Sequence, residues 1–159
     1  MLRFSGIRPC ELLDLTTDAI YRENGKWILA ISGRKQHARV RYYECPKFIV
    51  DSFNRYMQIR TEYQRWETPL FVSMSNKEGW TTSGLQNFFK KISKELGFRV
   101  NAYGFRRFVA TQMSQNGVAR DDMSRFLGHT RFTTTDRYIE RSCALTANAT
   151  SVMTTVCAA

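Results

Sequence analysis

The chain of 159 residues is long enough to bury one hydrophobic core, and its 43% apolar content is that of a globular domain and not of a disordered chain. No apolar run reaches the length of a membrane span, and the first residues lack the apolar stretch of a signal peptide. A formal net charge of +10 favours a polyanionic partner, above all nucleic acid.

The first elements along the chain are a helix and a hairpin. Leucines spaced for one helical face predict a short helix within Ile7–Ile20, with Pro9 tolerated in its first turn. Two apolar or alternating runs, Lys26–Ser32 and Ala38–Glu44, flank a polar, basic turn. They predict a β-hairpin with cations at its tip.

The middle of the chain predicts one long helix and a short buried segment. Pro46 opens a helix that runs to about Trp66, because proline is favoured in a first helical turn. Pro69–Val72 predicts a short extended piece inside the core, and Asn76–Gly79 predicts a turn.

A helix with a clear apolar stripe follows. Thr81 or Thr82 is the expected N-cap, and Gly97 the expected end. The residues that share the predicted buried face are Leu85, Phe88, Phe89, Ile92 and Leu96.

The last third predicts three more helices. The first covers Tyr103–Asn116, the second carries two aspartates in its first turn and ends at Gly128, and a short third covers Thr133–Glu140. The predicted fold is therefore α+β and mainly helical, with a small antiparallel sheet, in one domain over residues 1–159. The tail, residues 142–159, is weakly patterned.

The four cysteines and the cations give two further indications. The cysteines (Cys10, Cys45, Cys143, Cys157) form no CxxC pair, which predicts free thiols in a reducing, cytoplasmic compartment, with no zinc site and no disulfide framework. From Phe98 onward all eight cations are arginine, the side chain that binds phosphate through two parallel hydrogen bonds.

The stretch Tyr103–Tyr138 concentrates residue types that carry chemistry. It holds the adjacent Arg106 and Arg107, then His129, and nine residues later Tyr138. Taken singly, each has an ordinary explanation as a surface cation, a helix-end histidine or a core aromatic, so the prediction depends on the set.

The order and spacing of the set resemble the catalytic domain of the tyrosine recombinases, the phage-integrase family. SGIRPCELLDL resembles the box with the family's first catalytic arginine, which falls on Arg8, followed by its usual acid at Glu11. The family's catalytic lysine lies in a hairpin turn about two dozen residues later, and Lys35 is the lysine at that place.

The rest of the resemblance lies in the arginine-rich stretch. YGFRR puts the family's second arginine on Arg106, LGH falls on 127–129, and the nucleophilic tyrosine falls on Tyr138. Tyr103 stands where the family usually has histidine. It can donate a hydrogen bond to phosphate but cannot serve as a cation, so His129 is the better candidate for a histidine role.

The resemblance implies a metal-independent and cofactor-free DNA recombinase that breaks and rejoins duplex DNA through a 3′-phosphotyrosyl link. Arg8 and Arg106 would stabilise the phosphate charge, Lys35 would protonate the leaving 5′-oxygen, and His129 would assist. Further contacts to DNA are expected from Arg34, His37, Arg107 and Arg131. Self-assembly on DNA as a dimer or tetramer is expected too.

The resemblance also bears on domain organisation. The family's catalytic domain normally follows a further helix and a DNA-gripping domain, and we expect this chain to lack both. We expect the tail after Arg141 to dock on a neighbouring copy of the chain.

Three other functions remain open. The helices on either side of Asn116–Gly117 also fit a helix-turn-helix DNA-binding module, in which Arg120, Arg125 and Arg131 would contact DNA without chemistry. A degenerate recombinase would bind DNA without cutting it. A type IB topoisomerase would use the same chemistry to relax supercoils alone.

Overall fold

The structure, a computed structural model, describes residues 1–34, 39–63, 69–73, 78–128 and 153–156. Six helices and three strands are defined in these ranges, together with a 3-10 turn at Thr17–Ala19 and a single helical turn at 153–156. In chain order they are α1 (Leu2–Ser5), α2 (Pro9–Leu13), β1 (Ile20–Glu23), β2 (Lys26–Ile31), β3 (Arg41–Glu44), α3 (Lys47–Tyr63), α4 (Thr82–Leu96), α5 (Ala102–Gln115) and α6 (Arg120–Leu127).

The three strands form one antiparallel sheet in the order β1-β2-β3. The β2–β3 pairing, with Leu29 opposite Tyr43 and Ile31 opposite Arg41, confirms the predicted hairpin. Its turn, residues 35–38, lies outside the described residues.

The short helix predicted within Ile7–Ile20 is α2, which has Pro9 in its first turn, and strand β1 after it was not predicted. That helix ends at Leu13, and the chain then turns into β1, which pairs with β2. Asn24 and Gly25 join the two strands with φ of 49° and 80°. Two consecutive positive φ values define the two-residue turn that asparagine–glycine favours in hairpins. This dipeptide was the sequence signal for β1.

The helix boundaries follow from the capping residues. The Thr81 hydroxyl accepts a hydrogen bond from the Gly84 backbone N–H (3.1 Å), which confirms the predicted cap of α4. Asn101, which had not been singled out, caps α5 in the same way by accepting from Gly104 N–H (2.8 Å). The predicted stripe of α4 is only partly buried, because Phe88 and Leu96 are about half exposed.

One hydrophobic core joins the sheet to the helices that carry the candidate site. Fully buried side chains from α1, the sheet, α5, α6 and the helical turn at 153–156 meet in it, and they include Phe4, Leu29, Tyr43, Val109, Phe126 and Met153. The Phe4 and Phe126 rings each meet Tyr43 edge to face. The ends of α1, β3, α5 and α6 are therefore held close together.

The described part of the tail lies on this chain's own core. Met153 is fully buried, and the Val156 carbonyl accepts a hydrogen bond from Arg3 Nη2 (3.1 Å). The rest of residues 142–159 lies outside the described ranges, so docking of the tail on a neighbouring copy stays a prediction.

Candidate active site

Arg8 and Glu11 form an ion pair at the start of α2. Arg8 is the N-cap residue, and its backbone N–H donates to Glu11 Oε2 (3.1 Å). Its Nη1 donates to Glu11 Oε1 (2.8 Å). The Glu11 carboxylate is buried, whereas the Arg8 side chain is about 29% exposed. Glu11 therefore fixes the guanidinium of Arg8 at the edge of solvent.

Arg106, on the first turns of α5, reaches the same place from the other half of the chain. Its Nη1 donates to the Gly6 carbonyl (2.7 Å) and its Nη2 to the Leu127 carbonyl (2.6 Å). Arg8 Nη2 donates to the next carbonyl, that of Gly128 (2.5 Å). The two predicted catalytic arginines thus lie side by side, on consecutive carbonyls of the LGH box.

A third arginine, Arg41 on β3, completes the cluster and was missed in the sequence. Its Nη2 donates to Glu11 Oε2 (2.6 Å) and its Nη1 to the Leu127 carbonyl (2.8 Å). The signal was period-two alternation, since Arg41 and Tyr43 share the buried face of the strand. An arginine on such a face needs partners, and Glu11 and Leu127 supply them.

The end of α6 is the common anchor of these side chains. The last carbonyls of a helix have no partner within the helix, and they form the negative end of its dipole. Here the carbonyls of Leu127 and Gly128 accept from arginines, and the carbonyl of Phe126 accepts from the Tyr43 hydroxyl. Cations therefore stabilise the helix end that directly precedes His129 in the chain.

Two glycines allow this close approach. Gly128 has φ of 68°, and a Cβ there would lie 2.7 Å from Arg41 Nη1. Gly6 has φ of 58°, and its Cβ would lie 2.8 Å from Leu127 Cδ2. Both backbones adopt the left-handed conformation that glycine tolerates best, and both touch side chains that a larger residue would displace.

The cluster carries a surplus of positive charge. Burial, together with the positive charges of Arg8 and Arg41, lowers the pKa of Arg106 to about 10. Burial raises the pKa of Glu11, but the charge of Arg41 and the hydrogen bonds from Arg8 and Arg41 outweigh it, so the net shift is downward. Three guanidiniums surround one carboxylate, and an anion is the ligand that such a site favours.

The remaining predicted residues fall into two groups. Tyr103 and Arg107 are exposed on the first turns of α5, and Arg34 makes a two-point contact with Asp14, with Nη2 to Oδ1 at 2.5 Å. The hydrogen bonds that Arg34 donates to Asp14 raise the pKa of Arg34. Those outside the described residues are Lys35, His37, His129, Arg131 and Tyr138.

The described ranges hold neither a metal-binding cluster nor a membrane-spanning helix. No group of three or more His, Cys, Asp or Glu side chains there is placed to hold a metal ion. No helix within these ranges combines the length and the apolar character that crossing a bilayer requires.

Known proteins match this chain in sequence. The model of the Phage integrase family matches residues 1–144. Tyrosine recombinase XerA of Thermococcus kodakarensis is 25% identical over 140 residues, which are 87% of this chain and 48% of that protein. A probable integrase/recombinase of Acholeplasma phage L2 is 24% identical over 144 residues, or 89% and 47%. The chain spans about half the length of these curated relatives.

Solved structures match the fold. The XerH site-specific recombinase bound to its difH substrate superposes with a TM-score of 0.68 at 22% identity, over 96% of this chain and 40% of that one. The Tn1549 transposon integrase in complex with circular intermediate DNA gives 0.69 at 19% identity, over 93% and 56%. These likenesses confirm the mainly helical fold with its small antiparallel sheet.

Proposed function

The chain belongs to the phage integrase family, and we propose that it is a site-specific recombinase that cleaves and rejoins duplex DNA through a 3′-phosphotyrosyl intermediate. The relatives named tyrosine recombinase and integrase/recombinase support this activity. The observation that carries the proposal is the meeting of Arg8 and Arg106 on the adjacent carbonyls of Gly128 and Leu127.

These two arginines are suited to clamp a phosphodiester. Each is partly exposed, and each guanidinium has more N–H groups than its contacts within the described residues use. The transition state of phosphoryl transfer adds negative charge to the non-bridging oxygens. A fixed donor aimed at such an oxygen contributes about 3 kcal/mol, and here the hydrogen bonds to Glu11, Gly6 and the end of α6 fix the donors before DNA binds.

The covalent step requires a nucleophile and an acid. The Tyr138 oxygen attacks phosphorus and passes its proton to His129 or to water, the bond from phosphorus to the 5′-oxygen breaks, and Lys35 protonates that oxygen to a 5′-hydroxyl. A 5′-hydroxyl from another strand then attacks the phosphotyrosine and releases Tyr138. His129 follows Gly128 directly, which supports a role beside the clamped phosphate.

The position of Arg34 supports the proposed role of Lys35 as the acid. It precedes Lys35 in the chain, and its contact with Asp14 joins the start of the hairpin turn to the C-terminal end of α2. Arg8 caps the other end of this helix. At a rise of about 1.5 Å per residue the two ends are roughly 9 Å apart, which a lysine side chain and a short turn can span.

Tyr103, at the position where the family usually has histidine, is suited to donate a hydrogen bond to the phosphate. It is 60% exposed and lies three residues before Arg106, on the same side of α5. Its phenol can donate to a phosphate oxygen held by Arg106, but it has no positive charge to offer.

The proposed partners are duplex DNA and further copies of the chain. The net charge of +10 and the exposed Arg107 support binding to the phosphate backbone, to which Arg34, His37 and Arg131 would contribute. Strand exchange requires paired cleavages, so we propose a dimer or tetramer on DNA. The place of action would be the DNA of the cytoplasm.

The activity can be tested with a suicide DNA substrate, in which cleavage releases a short strand and traps the intermediate. Native protein should form a covalent adduct, and Tyr138→Phe should form none while still binding DNA. Arg106→Lys should reduce the adduct about 100-fold, whereas the exposed neighbour Arg107→Lys serves as the matched control and should change it little.

The same experiment separates the proposal from its rival. Helices α5 and α6 meet at a turn around Gly117, with Arg120 and Arg125 exposed on α6, as a helix-turn-helix module would require. DNA binding without any adduct from the native chain would favour that module or a degenerate recombinase.

A further inference from the structure

Arg41 differs from the other two arginines of the cluster in its exposure. Its side chain is only 8% exposed, compared with 29% for Arg8, and it donates to the Glu11 carboxylate and to the carbonyls of Leu127 and, at 3.5 Å, Phe126. A guanidinium this far from solvent is poorly placed to touch DNA. Arg41 must therefore influence a bound phosphate through its neighbours.

Stability alone is a weak reason to bury an arginine and a glutamate together. The desolvation of two charges offsets most of their attraction, and apolar side chains of similar size often stabilise a core equally well. The position also belongs to the buried face of β3, next to Tyr43, where an apolar side chain would be the ordinary choice.

Charge balance gives a functional reason. Glu11 orients Arg8 through two hydrogen bonds, but its negative charge also cancels the positive charge that Arg8 would offer to a phosphate. Arg41 donates to Oε2 of that carboxylate at 2.6 Å. It leaves in place the hydrogen bonds that Arg8 donates to Glu11, while it supplies a compensating charge.

We propose that Arg41 is a positioning residue that neutralises Glu11, so that Arg8 and Arg106 both keep their full charge for the scissile phosphate. The inference rests on the function proposed above. Arg41 also shares the Leu127 carbonyl with Arg106, and its guanidinium packs against the bare Cα of Gly128. It thereby connects the Glu11–Arg8 side of the cluster to the Arg106 side.

The proposal is tested by changing the charge of the pair in steps. Arg41→Met leaves two guanidiniums and one carboxylate, Glu11→Gln leaves three guanidiniums, and the double variant restores the surplus of the native cluster. Arg22→Met, on the exposed face of β1, is the matched control because it removes one arginine charge far from the pair.

Two measurements are made on each variant of the full chain. The affinity for inorganic sulfate, at constant ionic strength, is measured from the side-chain N–H resonances of Arg8 and Arg106, which are assigned with Arg8→Lys and Arg106→Lys. The rate of adduct formation is measured on the suicide DNA substrate. Sulfate probes the clamp without requiring catalysis.

Arg41→Met should weaken sulfate binding and slow adduct formation by about tenfold, because one charge is lost a few ångströms from the anion. The double variant should regain most of that loss and lie within about threefold of the native chain, and Arg22→Met should match the native chain. A double variant no better than Arg41→Met, or an Arg41→Met variant equal to the native chain, would overturn the proposal.

Arg41→Lys covers the case in which Arg41→Met does not fold. It keeps the positive charge but lacks the paired N–H groups of the guanidinium. If Arg41→Met does not fold, Arg41→Lys should bind sulfate within about threefold of the native chain, and a tenfold loss there contradicts charge compensation. If the native chain forms no adduct on the suicide substrate, the proposed function itself fails. If the native chain forms the adduct and the Arg41 variants match it in sulfate affinity and adduct rate, only the role of Arg41 is refuted.

Discussion

Gly128 offers a sharp test of the architecture, because one methyl group there should disturb the whole arginine cluster. In Gly128→Ala the new Cβ would lie 2.7 Å from Arg41 Nη1, 2.8 Å from Cζ and 2.9 Å from Nε. These distances are too short for carbon contacts, so the guanidinium has to move away from its acceptors. The backbone φ of 68° adds strain of its own.

The two costs can be estimated separately. An alanine in the left-handed conformation costs about 1 kcal/mol relative to glycine. Overpacking at a filled site costs a further ~2 kcal/mol, since Arg41 must leave the Leu127 carbonyl or Glu11. The expected loss of about 3 kcal/mol is a large part of the stability of an ordinary domain.

Gly97→Ala is the matched control for the cost of placing alanine in a left-handed backbone conformation. Gly97 also follows the last residue of a helix and has φ of 74°, but nothing lies within 4 Å of its Cβ position. Urea titrations of both variants should therefore show about 3 kcal/mol for Gly128→Ala and about 1 kcal/mol for Gly97→Ala. Equal losses would refute the close packing of Arg41 on Gly128.

Three further changes test the same cluster and the DNA contact. Glu11→Gln should cost about 3 kcal/mol at pH 7 because Arg41 is left buried without its counter-ion. Since folding lowers the pKa of Glu11, the contribution of its carboxylate is full above the unfolded value of 4.5 and is lost as the pH falls below it. Urea titrations across this range should show the gap between native chain and variant closing, and a gap independent of pH would contradict the ion pair. Tyr43→Phe should cost about 1–2 kcal/mol in the same assay, because the Phe126 carbonyl loses its donor; an unchanged free energy of unfolding would count against that bond. Arg107→Gln should leave stability unchanged and lower the slope of log K for DNA binding against log salt by about one, and an unchanged slope would place Arg107 away from DNA.

Much of the fold follows from local chemistry that can be seen in the sequence. Thr81 and Gly97 bound α4 because a threonine hydroxyl and a left-handed glycine satisfy helix ends wherever they occur. The hairpin of β2 and β3 follows from its apolar alternation. Strand β1 escaped prediction because it has only four residues, although Asn24–Gly25 indicated a tight turn.

The candidate site was predictable only in part. The resemblance assigned roles to Arg8, Glu11 and Arg106, and the structure brings these three side chains to one place. Arg41 could not be assigned a role in advance, because the partners that allow its burial come from α2 and from the end of α6. Backbone carbonyls such as that of Leu127 leave no mark in a sequence, so the anchor of the arginine cluster became visible only in three dimensions.

We expect the chain to cut DNA through Tyr138, and the covalent adduct can be identified directly by mass spectrometry. After digestion of the trapped complex with trypsin and nuclease, Arg137 and Arg141 delimit a peptide of residues 138–141 in which Tyr138 is the tyrosine. That peptide should carry a nucleotide through a 3′-phosphate, and the released strand should end in a 5′-hydroxyl. A nucleotide on any other peptide, or one joined through its 5′-phosphate, would contradict the account.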